Sequence, residues 1–262
     1  MSARALGLAA LTVLELPHHE QIAIAALAGY SHVGLRLRPV AGQPYEYPIV
    51  MGLIKGRLAD TGVRVLDVEV FRVDADTKVA QFEPDIAAAA ELGARHLLAH
   101  GADADEARLV DNFGRLCDLA AKYRVIANLE PMPWVEVSTI GQALAVLQRA
   151  GRKNSGLLVD AIHFFRAGDT LEALAAVPRE YLHYAQFCDA RPERPAEMQE
   201  LIRQARGDRL MPGEGALDLT GLLRGLPSDL PLSIEVPYAQ PMPPLARARK
   251  AREATLQVLA RS

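Results

Sequence analysis

Four oxygen-bearing side chains close apolar runs from the midpoint of this 262-residue chain onward. They are Glu130 in Leu129-Glu130-Pro131, Asp160 in Val159-Asp160-Ala161, Gln186 in Ala185-Gln186-Phe187 and Glu235 in Ile234-Glu235-Val236. Three carboxylates gathered without a cation repel one another and raise each other's pKa. A divalent ion removes that cost, so the four are read as ligands of one metal. An oxygen-only set favours Mn²⁺ or Mg²⁺ over the softer Zn²⁺, with Co²⁺ or Zn²⁺ able to enter instead. The densest chemistry lies in Gly156–Arg166, an apolar run ending in Asp160 with His163 and Arg166 directly behind it. An Asp in that place is equally suited to cap the following helix.

Other chemistry-bearing residues also follow apolar runs: Thr12, Arg36, Glu69 and His100. Arg36 and Arg191 could each hold a carboxylate, phosphate or keto-polyol oxygen through the planar guanidinium fork. Arg36 is equally suited to pair with Glu69, and His100 to act as a hydrogen-bond partner behind the ligands. Arg166 reads as a rim residue in solvent. Trp134 is the only tryptophan and could wall the site, and Pro212-Gly213-Glu214-Gly215 suits a tight turn beside it. Side chains alternate along a strand, so Gln186 facing inward puts His183 on the outer, helix-facing side.

The elements that would bring these residues together recur regularly. Strand starts are expected at Leu6, His32, Val63, Arg95, Arg124, Ser155, Tyr181 and Pro231, spaced 26–32 residues apart except for 50 before the last. A βα unit takes about 30 residues, so the pattern is eight βα units with an insertion before the final strand. The first strand is expected over Leu6–Thr12. One intervening helix has Ile140, Ala143, Leu144 and Leu147 on one face, with Ser138 as N-cap and Gly151 at its end. The fold class is therefore α/β, a single (β/α)8 TIM barrel forming one domain over residues 1–262, with strand C-terminal ends carrying the site. An open doubly wound sheet is the alternative, but no strand is followed by a glycine-rich dinucleotide fingerprint.

Composition narrows the function classes. Half the residues are hydrophobic, enough for a large core. A net charge of −3 argues against a nucleic-acid partner, and no apolar run is long enough to span a membrane. Arg4 and the apolar stretch after it lack a cleavage site, because Glu15, Pro17, His18 and His19 follow. Cys117 and Cys188 form no disulfide framework or zinc spacing, which fits reduced thiols and a cytoplasmic location. The Pro241–Pro244 segment and the basic stretch behind it suit a lid or an oligomer contact, so a homo-oligomer is a possible assembly.

From Leu6-Gly7-Leu8 through Asp160-Ala161-Ile162-His163 to Ser233-Ile234-Glu235-Val236-Pro237, the chain resembles the xylose isomerase-like barrels. That superfamily includes sugar-phosphate isomerases, 3-epimerases, inosose dehydratases and 3-dehydroshikimate dehydratases. The resemblance implies one metal on Glu130, Asp160, Gln186 and Glu235, with Glu130 and Glu235 also moving protons and His163 touching substrate. Glu69 and His100 would join Arg36 and Arg191 around the substrate. Epimerases usually have histidine where this chain has Gln186; the glutamine resembles the dehydroshikimate dehydratases, whose Ser-Arg-His segment is missing here. The expected activity is isomerisation or epimerisation of a small sugar, sugar phosphate or related hydroxy-ketone through an ene-diolate. Dehydration of the 3-dehydroshikimate or inosose type is the alternative. An abasic-site endonuclease would need further histidines and an Asp-x-His pair, and a non-catalytic ligand-binding barrel would have no use for all four donors.

Overall fold

A computed structural model describes residues 4–40 and 47–262. Among them eight parallel strands close a barrel in chain order: β1 (Leu6–Leu8), β2 (His32–Arg36), β3 (Arg64–Asp74), β4 (His96–Ala102), β5 (Ile126–Glu130), β6 (Ser155–Asp160), β7 (Leu182–Phe187) and β8 (Leu232–Ile234). β8 returns to β1 through Leu6↔Leu232 and Leu8↔Ile234. Every residue of β6 is buried, as expected of a parallel strand covered by lumen on one face and helices on the other. The helix Glu106–Lys122 shows the matching pattern, with Leu109, Phe113, Leu116, Cys117 and Ala120 buried at helical spacing and Asp105 accepting from the Arg108 N–H. No helix among the described residues is long and apolar enough to cross a membrane.

Two local expectations are corrected. β1 stops at Leu8, and Ala10–Val13 forms a 3₁₀ turn. Thr12 Oγ1 donates to the Ile234 carbonyl (2.8 Å) and accepts from the Val236 N–H (2.9 Å), which folds this stretch over the end of β8. The cap of Ile140–Ala150 is Thr139, one residue beyond Ser138, because a reciprocal capping box forms with Gln142. Gly151 ends that helix at φ 63°, as expected of a left-handed C-terminal residue.

Irregularities in two strands decide what enters the lumen. β3 outruns β2 after Arg36↔Glu69 and continues along β4 as far as Asp74↔Ala102. Between Val68↔Leu97 and Phe71↔Ala99 it has one residue more than β4. That shift turns Val70 and Arg72 to the cavity, while Phe71 packs edge-on against Phe82. In β7, His183 and Tyr184 together oppose the single Leu158, since Leu182 pairs with Leu157 and Ala185 with Val159. His183 therefore does not face the helices, because the extra residue breaks the alternation. Its ring stacks on His96 at 5.8 Å, and a Cβ on Gly156 would lie 2.4 Å from its Cδ2. The imidazole thus occupies the N-terminal end of the lumen, and only glycine leaves it room there.

Above that level Leu66, Leu98, Leu158 and Tyr184 form a lumen cluster separate from the larger core between sheet and helices. Tyr184 donates to Asp67 Oδ2 at 2.9 Å. Burial, then the neighbouring Glu69, pushes the Asp67 pKa up to about 8.

Candidate active site

The strand ends open into a cavity of about 310 Å³, near the lower end of the roughly 300–1,000 Å³ typical of small-molecule sites. Glu130, Gln186, Glu235, His163, His100, Glu69 and Arg36 all line it. Asp160 lies at the end of β6 beside them and caps the helix Ala161–Ala167, its Oδ1 accepting from the His163 N–H at 3.1 Å. The capping and site readings of Asp160 are therefore compatible, because each uses a different carboxylate oxygen.

The residue that sequence reasoning missed is Arg209. Its side chain is 2% exposed, with Nη1 donating to Asp160 Oδ2 (2.6 Å) and Nη2 to Glu235 Oε2 (2.7 Å). Nε donates to the Ala205 carbonyl at 2.7 Å, which fixes the plane of the fork. Glu130 is held differently. His100 Nε2 lies 2.7 Å from its Oε2, and His163 Nε2 lies 3.9 Å from its Oε1. Burial pushes both imidazoles down to about 3, so they are neutral near pH 7; His100 and Glu130 share a hydrogen bond, and the longer His163 contact is no ion pair.

The electrostatics follow from that census. Burial raises the Glu130 and Glu235 pKa values well above the usual carboxylate range, with Arg209 opposing the shift in both cases. Burial acts on Asp160 in the same sense but is outweighed by Arg209, which holds this carboxyl below its ordinary value. Glu69 has its own counter-charge in Arg36, at 2.7 Å. Asp160 and Glu235 thus share the Arg209 guanidinium, and Glu130 lies in its field; with all three ionised, this group of four carries a net charge of −2.

A divalent cation matches that charge, and the donor chemistry fits one. Gln186 is 1% exposed, and its Nε2 donates to Glu235 Oε1 at 3.0 Å. Its Oε1 is buried without a partner, an acceptor left for a cation. Donor atoms of Glu130, Asp160 and His163 also lie within 4.8 Å of one another. This adds an imidazole to the oxygen set expected from sequence, and with it a donor that suits zinc or cobalt.

The remaining expected residues divide. Arg36 combines both of its readings, pairing with Glu69 while lining the cavity. Arg191 is not part of the cavity wall; its guanidinium is half exposed and engages Asp208 at 2.8 Å. Arg166, read from sequence as a solvated rim residue, is buried, donating from Nε to Gln204 Oε1 (3.0 Å) and from Nη2 to the Arg191 carbonyl (2.6 Å). The Trp134 ring stands edge-on to His163 at 4.9 Å and forms an apolar wall with Met132 and Val135. The Pro212–Gly215 turn is anchored by Asp189, whose carboxylate accepts from the N–H groups of Gly213, Gly215 and Leu217. Glu214 points away to Lys250, leaving it outside the site.

The family described as xylose isomerase-like TIM barrel matches residues 22–258. A 3-dehydroshikimate dehydratase of Pseudomonas aeruginosa is 29% identical over 136 residues, half of this chain and 21% of the dehydratase. An inosose isomerase of Bacillus subtilis is 30% identical over 119 residues, 45% of this chain and 41% of the isomerase. The matched segments therefore cover under half of each curated relative. Among solved structures, the IOLI protein with a bound zinc atom superposes with a TM-score of 0.76 over 98% of both chains, at 20% identity.

Proposed function

Since this chain belongs to the xylose isomerase-like TIM barrels, we propose that it is a divalent-metal-dependent isomerase or epimerase of a small sugar, sugar phosphate or related hydroxy-ketone. The observation that carries this reading is the convergence of three buried carboxyls at the cavity floor, two of them bonded to Arg209, beside the unpartnered Gln186 Oε1. Glu130, Asp160, Gln186 and Glu235 would hold the ion, with His163 able to turn toward it. When bound, the metal would supply Lewis-acid polarisation of the substrate's carbonyl and adjacent hydroxyl oxygens.

The chain's own residues account for the rest. Glu130 and Glu235 approach the cavity from β5 and the end of β8, so one carboxylate can take the proton next to the carbonyl while the other returns one. A carboxyl with a raised pKa suits both roles near neutral pH. His100 aims Glu130 through a hydrogen bond with one of its oxygens, and Gln186 does the same for Glu235. Arg209 keeps Asp160 ionised. Met132, Trp134 and Val135 exclude water from one side, protecting the ene-diolate that forms when the proton leaves.

A dehydratase is the second reading, favoured by the dehydratase relative and by glutamine at position 186. Loss of a β-hydroxyl from the same ene-diolate would give that product. The deciding experiment incubates purified, metal-loaded protein with candidate ketoses and keto acids in D₂O. Isomerisation or epimerisation gives a product with deuterium next to the carbonyl and the skeleton's mass otherwise unchanged, whereas dehydration gives a product lighter by one water. Glu130→Gln and Glu235→Gln should each slow turnover far more than they weaken substrate binding. Wild-type rates in both variants, with metal still bound, would end the proton-transfer reading.

A further inference from the structure

The proposed reaction uses the cavity floor, but the mouth holds a second set of charges with no part in it. Arg36, Arg72 and Arg206 all line the cavity. They come from three separate elements: the end of β2, the overhang of β3 beyond Glu69, and the last turn of the insertion helix Met198–Gly207. Like charges drawn to one wall cost free energy unless something compensates them.

The compensation is incomplete. Glu69 Oε1 takes Arg36 Nε (3.1 Å) and Nη2 (2.7 Å), but Arg36 Nη1 is buried with no hydrogen-bond partner, on a side chain only 7% exposed. Asp74 takes Arg72 Nε at 3.2 Å. The nearby Arg191 and Arg203 are matched to Asp208 and Glu200, whereas Arg206 pairs with no acid among the described residues. Burial and then the fields of Arg36 and Arg72 lower the Arg206 pKa, which places its guanidinium under the influence of both. A cation suits the C-terminal turn of a helix, but that position accounts for none of the fork's donors.

We propose that Arg36, Arg72 and Arg206 form an oxyanion subsite that receives a carboxylate or phosphate carried by the substrate, leaving its hydroxy-ketone end over the carboxylate floor. Planar guanidinium forks suit both oxyanions. The substrate class is then an anionic hydroxy-ketone, a keto-sugar acid or ketose phosphate, in place of a neutral sugar. This rests on the isomerase reading for the hydroxy-ketone part alone; the oxyanion subsite stands on its own geometry.

Calorimetric titration of the purified, metal-loaded protein tests the two parts separately. Inorganic phosphate and acetate probe the subsite without any ketone. Fructose, 2-ketogluconate and fructose 6-phosphate then compare a neutral ketose with carboxylate and phosphate forms of similar size. At least one simple oxyanion should bind, and its charged ketose should bind at least tenfold more tightly than fructose, which tells carboxylate from phosphate. Arg206→Ala and Arg72→Ala, both at exposed positions that leave the core intact, should each remove most of that preference without changing fructose binding, and Arg206→Lys should restore part of it. Raising ionic strength should weaken only the charged probes. No binding of either oxyanion, or a charge preference that survives both alanine variants, overturns the subsite. Oxyanion binding that depends on the arginines, with no ketose binding at all, supports the subsite and counts against the isomerase reading.

Discussion

Arg209→Met removes the guanidinium that bridges the buried Asp160 and Glu235 while keeping a side chain of comparable length. The lost contacts are the 2.6 Å and 2.7 Å bonds to Asp160 and Glu235 and the Nε bond to Ala205. Taking one partner from a buried ion pair costs about 3–5 kcal/mol, because the other charge stays behind unpaired. For a chain of this size each kcal/mol moves Tm by about 2–4 °C, so the metal-free variant should melt roughly 6–20 °C below wild type. Added Mn²⁺ should narrow that gap, because an ion present at about 1,000 times its Kd contributes about 4 kcal/mol and the variant's site has one more uncompensated charge to attract it. Asp160 has a depressed folded pKa, so its contribution is present above its unfolded pKa of about 3.9 and is lost as pH falls through the folded value. The variant's deficit should therefore shrink toward acid pH. Scanning calorimetry in chelator and in saturating Mn²⁺ at pH 7, and in chelator near pH 3, below the unfolded Asp160 pKa, measures each part. A drop below about 2 °C in chelator, or the same deficit with and without metal, would refute Arg209 as the counter-charge.

Two further outcomes are expected. Gln186→Ala should weaken Mn²⁺ affinity severely by calorimetry, whereas His183→Ala, whose ring sits at the opposite end of the lumen on His96, should lower Tm and leave metal affinity nearly unchanged. Asp67 has a folded pKa raised to about 8, so above its unfolded pKa of about 3.9 the folded state holds a proton the unfolded chain has released. Stability should fall by up to about 1.4 kcal/mol per pH unit across that window from this group; Asp67→Asn should flatten the slope, and an unchanged slope in urea melts would exclude Asp67 as its source.

The barrel and the strand ends that converge on the cavity were legible because a βα unit repeats at near-constant length and each of these strands is an apolar run closed by one polar residue. Glu130, Asp160, Gln186 and Glu235 converge in the structure as that pattern implies. His183 was misplaced because the extra residue in β7 leaves no trace in hydropathy, and strict alternation assumes an unbroken strand. Arg72 was hidden likewise, since the shift in β3 alone turns it to the cavity. Arg209 lies in the long connection between β7 and β8 among several other arginines. Which of them enters the lumen depends on how the insertion helix packs, a tertiary property. The one available hint was its position just before the Pro-Gly-Glu-Gly turn, which fixes where the chain returns to the barrel.

That connection is closed at its base. Asp189 and Leu210 exchange both backbone hydrogen bonds, at 3.0 and 2.8 Å, while the Asp189 carboxylate holds the turn beyond. The excursion between them bears Arg206 at the mouth and Arg209 at the floor. Because its two ends are pinned to each other, its length and content can vary without pulling on β7 or β8. Within residues 191–208 the mouth-facing Arg206 can change without touching the strands, whereas Ala205 one residue earlier ties the same helix to Arg209 and so to the carboxylates, which makes one helical turn the hinge between substrate preference and the floor.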